Sequence, residues 1–373
     1  MVFEQTAVFM VTYGLFLCAN KNKGETMSKQ TVVEELKPRT QDEISIVMSC
    51  DDNYAPYLAT TLQSIIDNAK QENYTVYILV EKLSKDIERN LLKMATEKVH
   101  VRHINVKNQI EQYSADLFFT HWYFSIAIYY RLFIPYIFKY FKKVIYCDCD
   151  AIFMVDPADL YQEDIIGKLM AGVVDFGVFN LIHKKDTYYT DILKLKNPAN
   201  YINSGLLIFN IPDLLSYHFT EKCMECLQRL KNPKFPDQDI INVVCEDKIA
   251  FLDFSWNMLG YLGIEADLYI PKDKMAEYKQ GLENPKFMHF AGRAKPWNDL
   301  DILYANVWWK YARKTPLYEQ MRKMFFDRFS RNSSRFNYIR CSILFYLTWG
   351  KRKQHYMDKK HHLKRCLEKF KHF

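Results

Sequence analysis

The sequence predicts an α/β fold with a mixed, mostly parallel β-sheet, because strand and helix signals alternate along residues 44–303. Short apolar runs, such as 44–48 and 144–147, end at polar residues and are typical of buried strands. Between them lie longer segments with apolar residues at helical spacing, most clearly in 55–68. Strands that alternate with helices usually build a sheet that is mainly parallel and covered on both faces.

The other predicted elements follow without an internal repeat. Strands are predicted at 74–80, 100–106, 169–174, 206–209 and 286–289, and helices at 84–96 (capped by Ser84), 212–230 and 239–246. From about residue 304 the pattern becomes helical, basic and aromatic. We therefore predict an N-terminal extension at 1–43, an α/β domain at 44–303 and a basic helical tail at 304–373. Met27 offers an alternative start, so residues 1–26 are expected to be an extension of the gene model.

Charge is distributed unevenly along the chain. Residues 310–373 hold 18 Lys and Arg against 4 Asp and Glu, a net +14, whereas the preceding residues carry −7 and the whole chain +7. Basic residues interleaved with aromatic ones such as Phe325 and Trp349 are typical of a segment that lies on an anionic membrane, with a solvated tail as the alternative. The cysteines are odd in number and irregularly spaced, which favours a reducing compartment. We expect a cytoplasmic protein peripherally associated with the inner face of the membrane.

Two carboxylates follow the predicted strand 144–147. Asp148 and Asp150 stand beyond its carboxyl end, where ligands bind in open α/β sheets. Such a pair can converge on one hard divalent cation, as Mg²⁺ or Mn²⁺ requires. The same spacing recurs at 237–239 and 299–301, so the pattern alone is weak. The strand before the first pair and the motifs around it distinguish it from the others.

Six segments carry a resemblance to a known family. In order they are 49–54 (SCDDNY), 125–132 (SIAIYYRL), 146–150 (YCDCD), 201–205 (YINSG), 235–239 (FPDQD) and 289–297 (HFAGRAKPW). This ordered set resembles the motifs of glycosyltransferase family 8, retaining enzymes typified by bacterial lipopolysaccharide galactosyl- and glucosyltransferases and related to glycogenin. One departure is Cys50, where the family usually has alanine.

The resemblance implies a GT-A-type nucleotide-diphospho-sugar transferase fold over 44–303. It also implies retaining transfer of glucose or galactose from UDP-glucose or UDP-galactose to a lipopolysaccharide-type or other cell-surface glycan, including a lipid-linked one. The implied cofactor is Mn²⁺, with Mg²⁺ as the second choice, and nucleic acid is not an expected partner. Chemistry agrees, because a cation and a lysine can stabilise the charge that a diphosphate leaving group gathers.

Individual roles are likewise implied by the resemblance. Uridine would be held by Asp51, Asn53 and Tyr54, with Tyr54 stacked on the base. The metal ligands would be Asp148, Asp150 and His289. The ribose or donor sugar would contact Arg131, Asn203 and Asp175, and Cys149 would lie among these donor-binding residues. The diphosphate would contact Gly292 and Lys295. The catalytic residues beside the anomeric carbon would be Asp237 and Gln238.

Structural alternatives stay open for several of these residues. Arg131 could be a buried ion-pair partner, His289 a core histidine, 203–205 an ordinary turn, and Trp297 a packing residue rather than a sugar platform.

Other functions also stay open. A metal-dependent nucleotidyltransferase is one alternative, although the first strand is not followed by the glycine- and lysine-rich loop that such enzymes use. A non-enzymatic binding module for membrane or nucleic acid is another, and self-glucosylation is a third.

Overall fold

The computed structural model describes residues 35–118, 125–183, 186–260 and 270–332, with residues 342, 354, 356–361 and 364–365 beyond them. The strands are β1 Ile44–Ser49, β2 Tyr74–Val80, β3 Val99–Asn105, β4 Lys143–Cys147, β5 Ala151–Phe153, β6 Met170–Val174, β7 Ile202–Asn210, β8 Ile249–Phe251, β9 Met258–Leu259 and β10 Phe287–His289. The helices are α1 Ala55–Asn68, α2 Lys85–Leu92, α3 Lys107–Glu111, α4 Ile134–Ile137, α5 Pro157–Tyr161, α6 Phe176–His183, α7 Ile211–Ser216, α8 Phe219–Leu230, α9 Pro236–Val244, α10 Met275–Glu283, α11 Ala305–Ala312 and α12 Tyr318–Asn332.

Seven strands form the main sheet, in the order β3-β2-β1-β4-β7-β6-β8. Neighbouring strands run parallel except at β7, which is antiparallel to both β4 and β6. A second sheet of three strands has the order β5-β10-β9. The prediction of an α/β fold with a mixed, mostly parallel sheet is therefore confirmed.

The main sheet has an apolar cluster on each face, and alternate residues of its strands supply the two clusters. Ile46 and Met48 of β1 belong to one cluster and Val47 to the other. The same division separates Ile145 from Val144 in β4. Successive side chains of a strand point to opposite faces, which explains why these strands are continuously apolar.

Three predicted helices are wrong in extent, and the one predicted at 239–246 spans Pro236–Val244. The helix predicted at 84–96 ends at Leu92, because Thr96 is bonded through both its backbone and its side chain to Val99 in the turn into β3. Ser84 occupies the cap position of this helix, but its side chain makes no capping hydrogen bond. The helix predicted at 212–230 is divided into α7 and α8, because His218 adopts a left-handed backbone conformation with φ 56°.

Two motif segments also differ from the expected local structure. The apolar segment that begins at Ser125 forms a 3₁₀ helix over Ile126–Phe133, which is tighter than an α-helix, before α4 begins. Residues 203–205, expected in a loop or turn, lie inside β7. Their backbone is therefore held by the sheet, and they stand at a fixed distance from the end of β4.

Helices α11 and α12 pack on the core of the α/β domain. Trp308, Trp309 and Phe325 are at most 2% exposed and belong to the same apolar cluster as α1. Phe325 is therefore not available to a membrane surface, contrary to the prediction that it is one of the aromatic residues by which the tail lies on a membrane. The domain boundary at residue 304 stays a prediction, and most of the tail beyond Asn332 lies outside the described residues. Among the residues that are described, no helix is long and apolar enough to cross a membrane.

Replacing Trp309 with alanine tests whether α11 is part of the folded core. The indole is 1% exposed and its Nε1 donates to the Pro296 carbonyl at 3.0 Å. We expect Trp309→Ala to lower the free energy of unfolding by about 3–5 kcal/mol, as measured by chemical denaturation. The control is Leu92→Ala at a 42% exposed side chain, where a change within about 0.5 kcal/mol is expected. An equally small loss of unfolding free energy in both variants would show that α11 is not part of the folded core.

Candidate active site

A cavity of about 280 Å³ opens where β1 and β4 end and where the antiparallel β7 begins. Carboxyl ends of parallel strands meet at one edge of a sheet, and β7 brings its amino end to that same edge because it runs the other way. All six family-like motifs supply residues to the lining, although Trp297, at the end of the last motif, is not among them. The lining includes Asp51, Arg131, Asp148, Asn203 and Lys295.

Asp148 and Asp150 lie where the chain passes from the main sheet to the second sheet. The backbone N–H of Asp148 donates to the Gly205 carbonyl of β7 at 2.8 Å, which continues the ladder between β4 and β7. Immediately after Asp150, Ala151 pairs with His289 in the antiparallel β5–β10 ladder. Two ladders thus bring His289 beside the two aspartates.

Three side-chain atoms converge at this crossing. Ligand atoms of Asp148, Asp150 and His289 all lie within 4.8 Å of one another. His289 Nε2 is 3.3 Å from Asp150 Oδ1 and 3.8 Å from Asp148 Oδ2. Two carboxylate oxygens and one imidazole nitrogen form a donor set that fits Mn²⁺ or Mg²⁺.

The remaining oxygen of each aspartate is bound by a cation. Asp148 Oδ1 accepts from Arg131 Nη2 at 2.7 Å and from the Tyr146 hydroxyl at 3.0 Å. Asp150 Oδ2 is ion-paired with the buried Lys295, whose Nζ also donates to a backbone carbonyl. Burial alone would raise the pKa of Asp150, but Lys295 and His289 outweigh burial and hold this pKa well below its usual range.

Arg131 occupies the centre of the site as an ion-pair partner. It is 2% exposed, and besides Asp148 it contacts the Ser204 carbonyl at 2.7 Å and Asp237 Oδ2 at 3.0 Å, both through Nη1. Its guanidinium lies over the ring of Tyr146, 4.3 Å from the centroid. The alternative of a buried ion pair is thus the arrangement found, while contact of Arg131 with a donor sugar stays a prediction.

Asp175 organises the residues predicted to contact the donor sugar. Its Oδ2 accepts from Asn203 Nδ2 and from Gln238 Nε2, each at 3.0 Å. The side-chain amide oxygen of Gln238, Oε1, in turn accepts from the backbone N–H of Ser204 at 3.0 Å. Asp175, Asn203 and Gln238 therefore lie together in fixed orientations, while their roles toward a donor sugar stay predictions.

The second aspartate pair, at 237 and 239, divides into two environments. Asp237 lines the cavity, and its buried Oδ2 accepts no hydrogen bond from the described residues, despite its closeness to Arg131. Burial raises the pKa of Asp237, although Arg131 opposes that shift. Asp239 is fully buried and accepts from the hydroxyls of Tyr188 and Tyr201 at 2.7 and 2.6 Å. Asp239 therefore has a structural role.

The predicted uridine turn follows β1. Asp51 Oδ1 accepts from the backbone N–H groups of Asn53 and Tyr54, each at 3.0 Å, and its Oδ2 accepts from Ser125. Asp51 and Tyr54 line the cavity, whereas Asn53 is exposed and does not.

Three more predicted positions can be placed. Cys149 and Gly292 line the cavity, and Gly292 adopts φ 80°, a conformation that favours glycine. Trp297 stacks on Tyr57 at 3.7 Å between ring centroids and is 4% exposed. It is a packing residue and not a sugar platform.

Two residues of the site were missed by the sequence analysis. Tyr146 belongs to a recognised motif, but its place in an apolar strand gave no sign that its hydroxyl would bond both Asp148 and Ser49. Asn257 Oδ1, an atom that can only accept, lies 3.0 Å from the ring nitrogen Nδ1 of His289. No motif in the sequence singles out Asn257.

Comparison with known proteins decides the family. The model of glycosyl transferase family 8 matches residues 45–301, more than half of the chain. The chain belongs to glycosyltransferase family 8. General stress protein A of Bacillus subtilis (strain 168) is 30% identical over 268 residues, which cover 69% of this chain and 89% of that protein. Lipopolysaccharide 1,2-glucosyltransferase of Escherichia coli is 26% identical over 286 residues, covering 74% and 80% of the two chains.

Solved structures of glycosyltransferases share the fold, which is of the GT-A type. The apo structure of the bifunctional glycosyltransferase WbbM matches with a TM-score of 0.70 at 25% identity, over 78% of this chain and 53% of that one. This chain thus spans about half of that protein. The galactosyltransferase LgtC, solved with donor and acceptor sugar analogues, matches with a TM-score of 0.63 at 19% identity, over 75% of this family 8 chain and 100% of LgtC.

Gly205 is required by the close approach of β7 to the three converging side chains. A Cβ at this position would lie 2.7 Å from His289 Nδ1 and 2.9 Å from Asp148 Oδ2. We expect Gly205→Ala to weaken Mn²⁺ binding by at least about tenfold, measured by titration calorimetry, because both side chains must move.

The matched control is Gly260→Ala. Its added Cβ would meet first the flexible end of Met288, at 3.1 Å, and it should leave Mn²⁺ affinity unchanged. Wild-type affinity in Gly205→Ala would show that the close packing around Gly205 does not shape the metal site.

Proposed function

We propose that this family 8 enzyme transfers a hexose, from UDP-glucose or UDP-galactose and with Mn²⁺, to a lipopolysaccharide-type or other cell-surface glycan. The observation that carries the proposal is the convergence of Asp148, Asp150 and His289 beside Lys295, in a cavity that the donor-binding motifs also line. Relatives named as lipopolysaccharide glucosyltransferases support the acceptor class. No specific feature favours nucleotidyl transfer, a non-enzymatic role or self-glucosylation.

In this proposal Asp148, Asp150 and His289 hold the metal ion. When bound, the ion supplies a Lewis acid that stabilises negative charge on the leaving diphosphate. Lys295, ion-paired with Asp150, would add a positive charge beside the diphosphate, and Gly292, which lines the cavity, would contact the diphosphate. Tyr54, on the turn after β1, would stack on the uracil base.

The acceptor side of the cavity is assigned to Asp237 and Gln238. Both hydrogen-bonding ends of the Gln238 amide are already bound, to Ser204 and Asp175. Gln238 is therefore suited to hold Ser204 and Asp175 in place around the donor sugar, and its amide is not free to attack the anomeric carbon. Asp237 Oδ2 is ion-paired with Arg131 Nη1 at 3.0 Å, so Arg131 holds this carboxylate in place on the acceptor side.

A panel of UDP-sugars tests this function without knowledge of the acceptor. With Mn²⁺ we expect slow release of UDP from UDP-glucose or UDP-galactose, and none after addition of EDTA. Asp150→Asn should reduce this release at least about 100-fold, because it weakens both the metal site and the pairing with Lys295.

The matched control is Asp159→Asn, at an exposed position in the first turn of α5, which should leave UDP release unchanged. Metal-independent release, or full activity of Asp150→Asn, would contradict the proposal.

Once an acceptor is found, the stereochemistry of the product can be tested. The family assignment requires retention, so proton NMR should show an α linkage, and a β linkage would contradict the assignment.

The charge of the tail supports a place at the membrane. Residues 310–373 carry 18 basic and 4 acidic side chains, and each basic residue near an anionic surface contributes about 1 kcal/mol. Because Phe325 is buried, we assign this contact to the part of the tail beyond Asn332. The full chain should co-sediment with vesicles containing anionic lipid at moderate salt, and a chain ending at Asn332 should not. Equal sedimentation of the two chains would exclude membrane binding by the tail.

A further inference from the structure

A chain of amide hydrogen bonds joins Asp175 to His289. Asn203 Nδ2 donates to Asp175 Oδ2 at 3.0 Å, and Asn203 Oδ1 accepts from Asn257 Nδ2 at 2.9 Å. Asn257 Oδ1 then lies 3.0 Å from Nδ1 of His289. All four side chains are at most 7% exposed, so water cannot readily substitute for any of these bonds.

The direction of this chain is set by a backbone group that can only donate. The N–H of Gly205 donates to Asn203 Oδ1 at 2.9 Å. If the Asn203 amide were reversed, its NH₂ group would face this N–H and its oxygen would face the carboxylate of Asp175. Both contacts would be repulsive, so the orientation of Asn203 follows from its neighbours.

The same logic fixes the next two groups. Since Asn203 presents an oxygen, Asn257 must present its NH₂ group to Asn203 and its oxygen to the imidazole. An oxygen acceptor requires a proton on Nδ1 of His289, which leaves Nε2 as the nitrogen that can bind a metal. Nε2 is also the nitrogen that faces Asp148 and Asp150.

We propose that Asn257 is a positioning residue, which holds His289 with Nδ1 protonated and Nε2 directed at the metal position. This inference rests on the proposed function in one respect, namely that a metal binds at His289. Asn257 does not line the cavity, so it would act on the metal only through His289. Partners that orient a ligating histidine typically change metal affinity 10–100-fold when they are removed.

The fold explains how Asn257 reaches the ring. It ends the 3₁₀ segment Phe254–Asn257, directly before β9, and β9 pairs in parallel with β10, which carries His289. Asn257, immediately before β9, and His289, on the neighbouring β10, are thus held close together by the second sheet. Asn203, on β7 of the main sheet, completes a bridge between the two sheets at the point where the metal would lie.

The test compares two substitutions of nearly equal size. Asn257→Leu removes the acceptor, and we expect Mn²⁺ affinity, measured by titration calorimetry, to fall about 10–100-fold. Asn257→Asp keeps an oxygen toward Nδ1 but loses the N–H donor to Asn203. We therefore expect its stability to fall while its Mn²⁺ affinity stays within about threefold of the wild type. Asn68→Leu is the control for loss of a partly buried amide, because Asn68 bonds α1, β5 and Tyr311 far from the site. It should lower stability without changing Mn²⁺ affinity.

A second readout needs neither metal nor activity. In nitrogen-15 NMR spectra of the wild-type protein, the buried ring N–H of His289 should give a protected signal, assigned by its loss in His289→Ala. This signal should persist in Asn257→Asp and vanish in Asn257→Leu. Should Asn257→Leu not fold, Asn257→Ala takes its place with the same expected results.

The outcomes separate this inference from the proposed function. If the wild type binds Mn²⁺ and Asn257→Leu binds it equally well, the positioning role is overturned while the metal site stands. If both substitutions weaken binding only in proportion to lost stability, Asn257 is merely structural and the inference is again overturned. If the wild type binds no Mn²⁺, the metal part of the proposed function fails, and the role of Asn257 toward His289 is decided by the ring N–H signal.

Discussion

The site depends on two partly buried ion pairs, Arg131 with Asp148 and Lys295 with Asp150. Each cation binds one oxygen and leaves the other directed at the point that His289 also faces. Charged groups lose their hydration on burial, so such pairs contribute little net stability, but removal of one partner typically costs about 3–5 kcal/mol. Burial opposes the charge on Arg131, and Asp148 and Asp237 outweigh it and raise the pKa of Arg131. The two carboxylates are therefore held in fixed orientations before any ligand arrives.

The reversed direction of β7 allows this arrangement to form. An all-parallel sheet would place the start of the strand next to β4 at the opposite edge, away from Asp148. Because β7 is antiparallel, its first residues stand beside the end of β4, and Gly205 leaves space there for the imidazole of His289. The same segment presents the Ser204 carbonyl to Arg131 and the Asn203 amide to Asp175. One strand thus connects the metal end of the cavity to the sugar end.

Much of this could be predicted from the sequence, and the failures have physical causes. Strand β2 and helix α1 were predicted with correct bounds because their apolar patterns are local. Asp148 and His289 could be predicted to act together only because each lies in an ordered set of motifs. Nothing local marks Asn257, whose contact with a ring 32 residues away arises from the pairing of β9 with β10. The left-handed break at His218 was missed for a similar reason, since helical periodicity continues through it.

Charge supports the proposal that this family 8 enzyme binds an anionic donor together with a cation. Five carboxylates line the cavity, those of Asp51, Asp148, Asp150, Asp175 and Asp237, against the two cations Arg131 and Lys295. Burial raises the pKa of Asp237, yet with Asp237 counted as neutral the lining still has two excess negative charges.

A diphosphate that enters such a lining alone meets repulsion. Each pair of like charges about 4 Å apart costs roughly 4 kcal/mol at an effective dielectric constant near 20. The side chains are therefore complementary to a divalent cation, and become complementary to a diphosphate only when that cation accompanies it. Lys295 cannot replace the cation, because its ammonium is already ion-paired with Asp150. The residues around the cavity thus favour binding of the metal before, or together with, the nucleotide sugar.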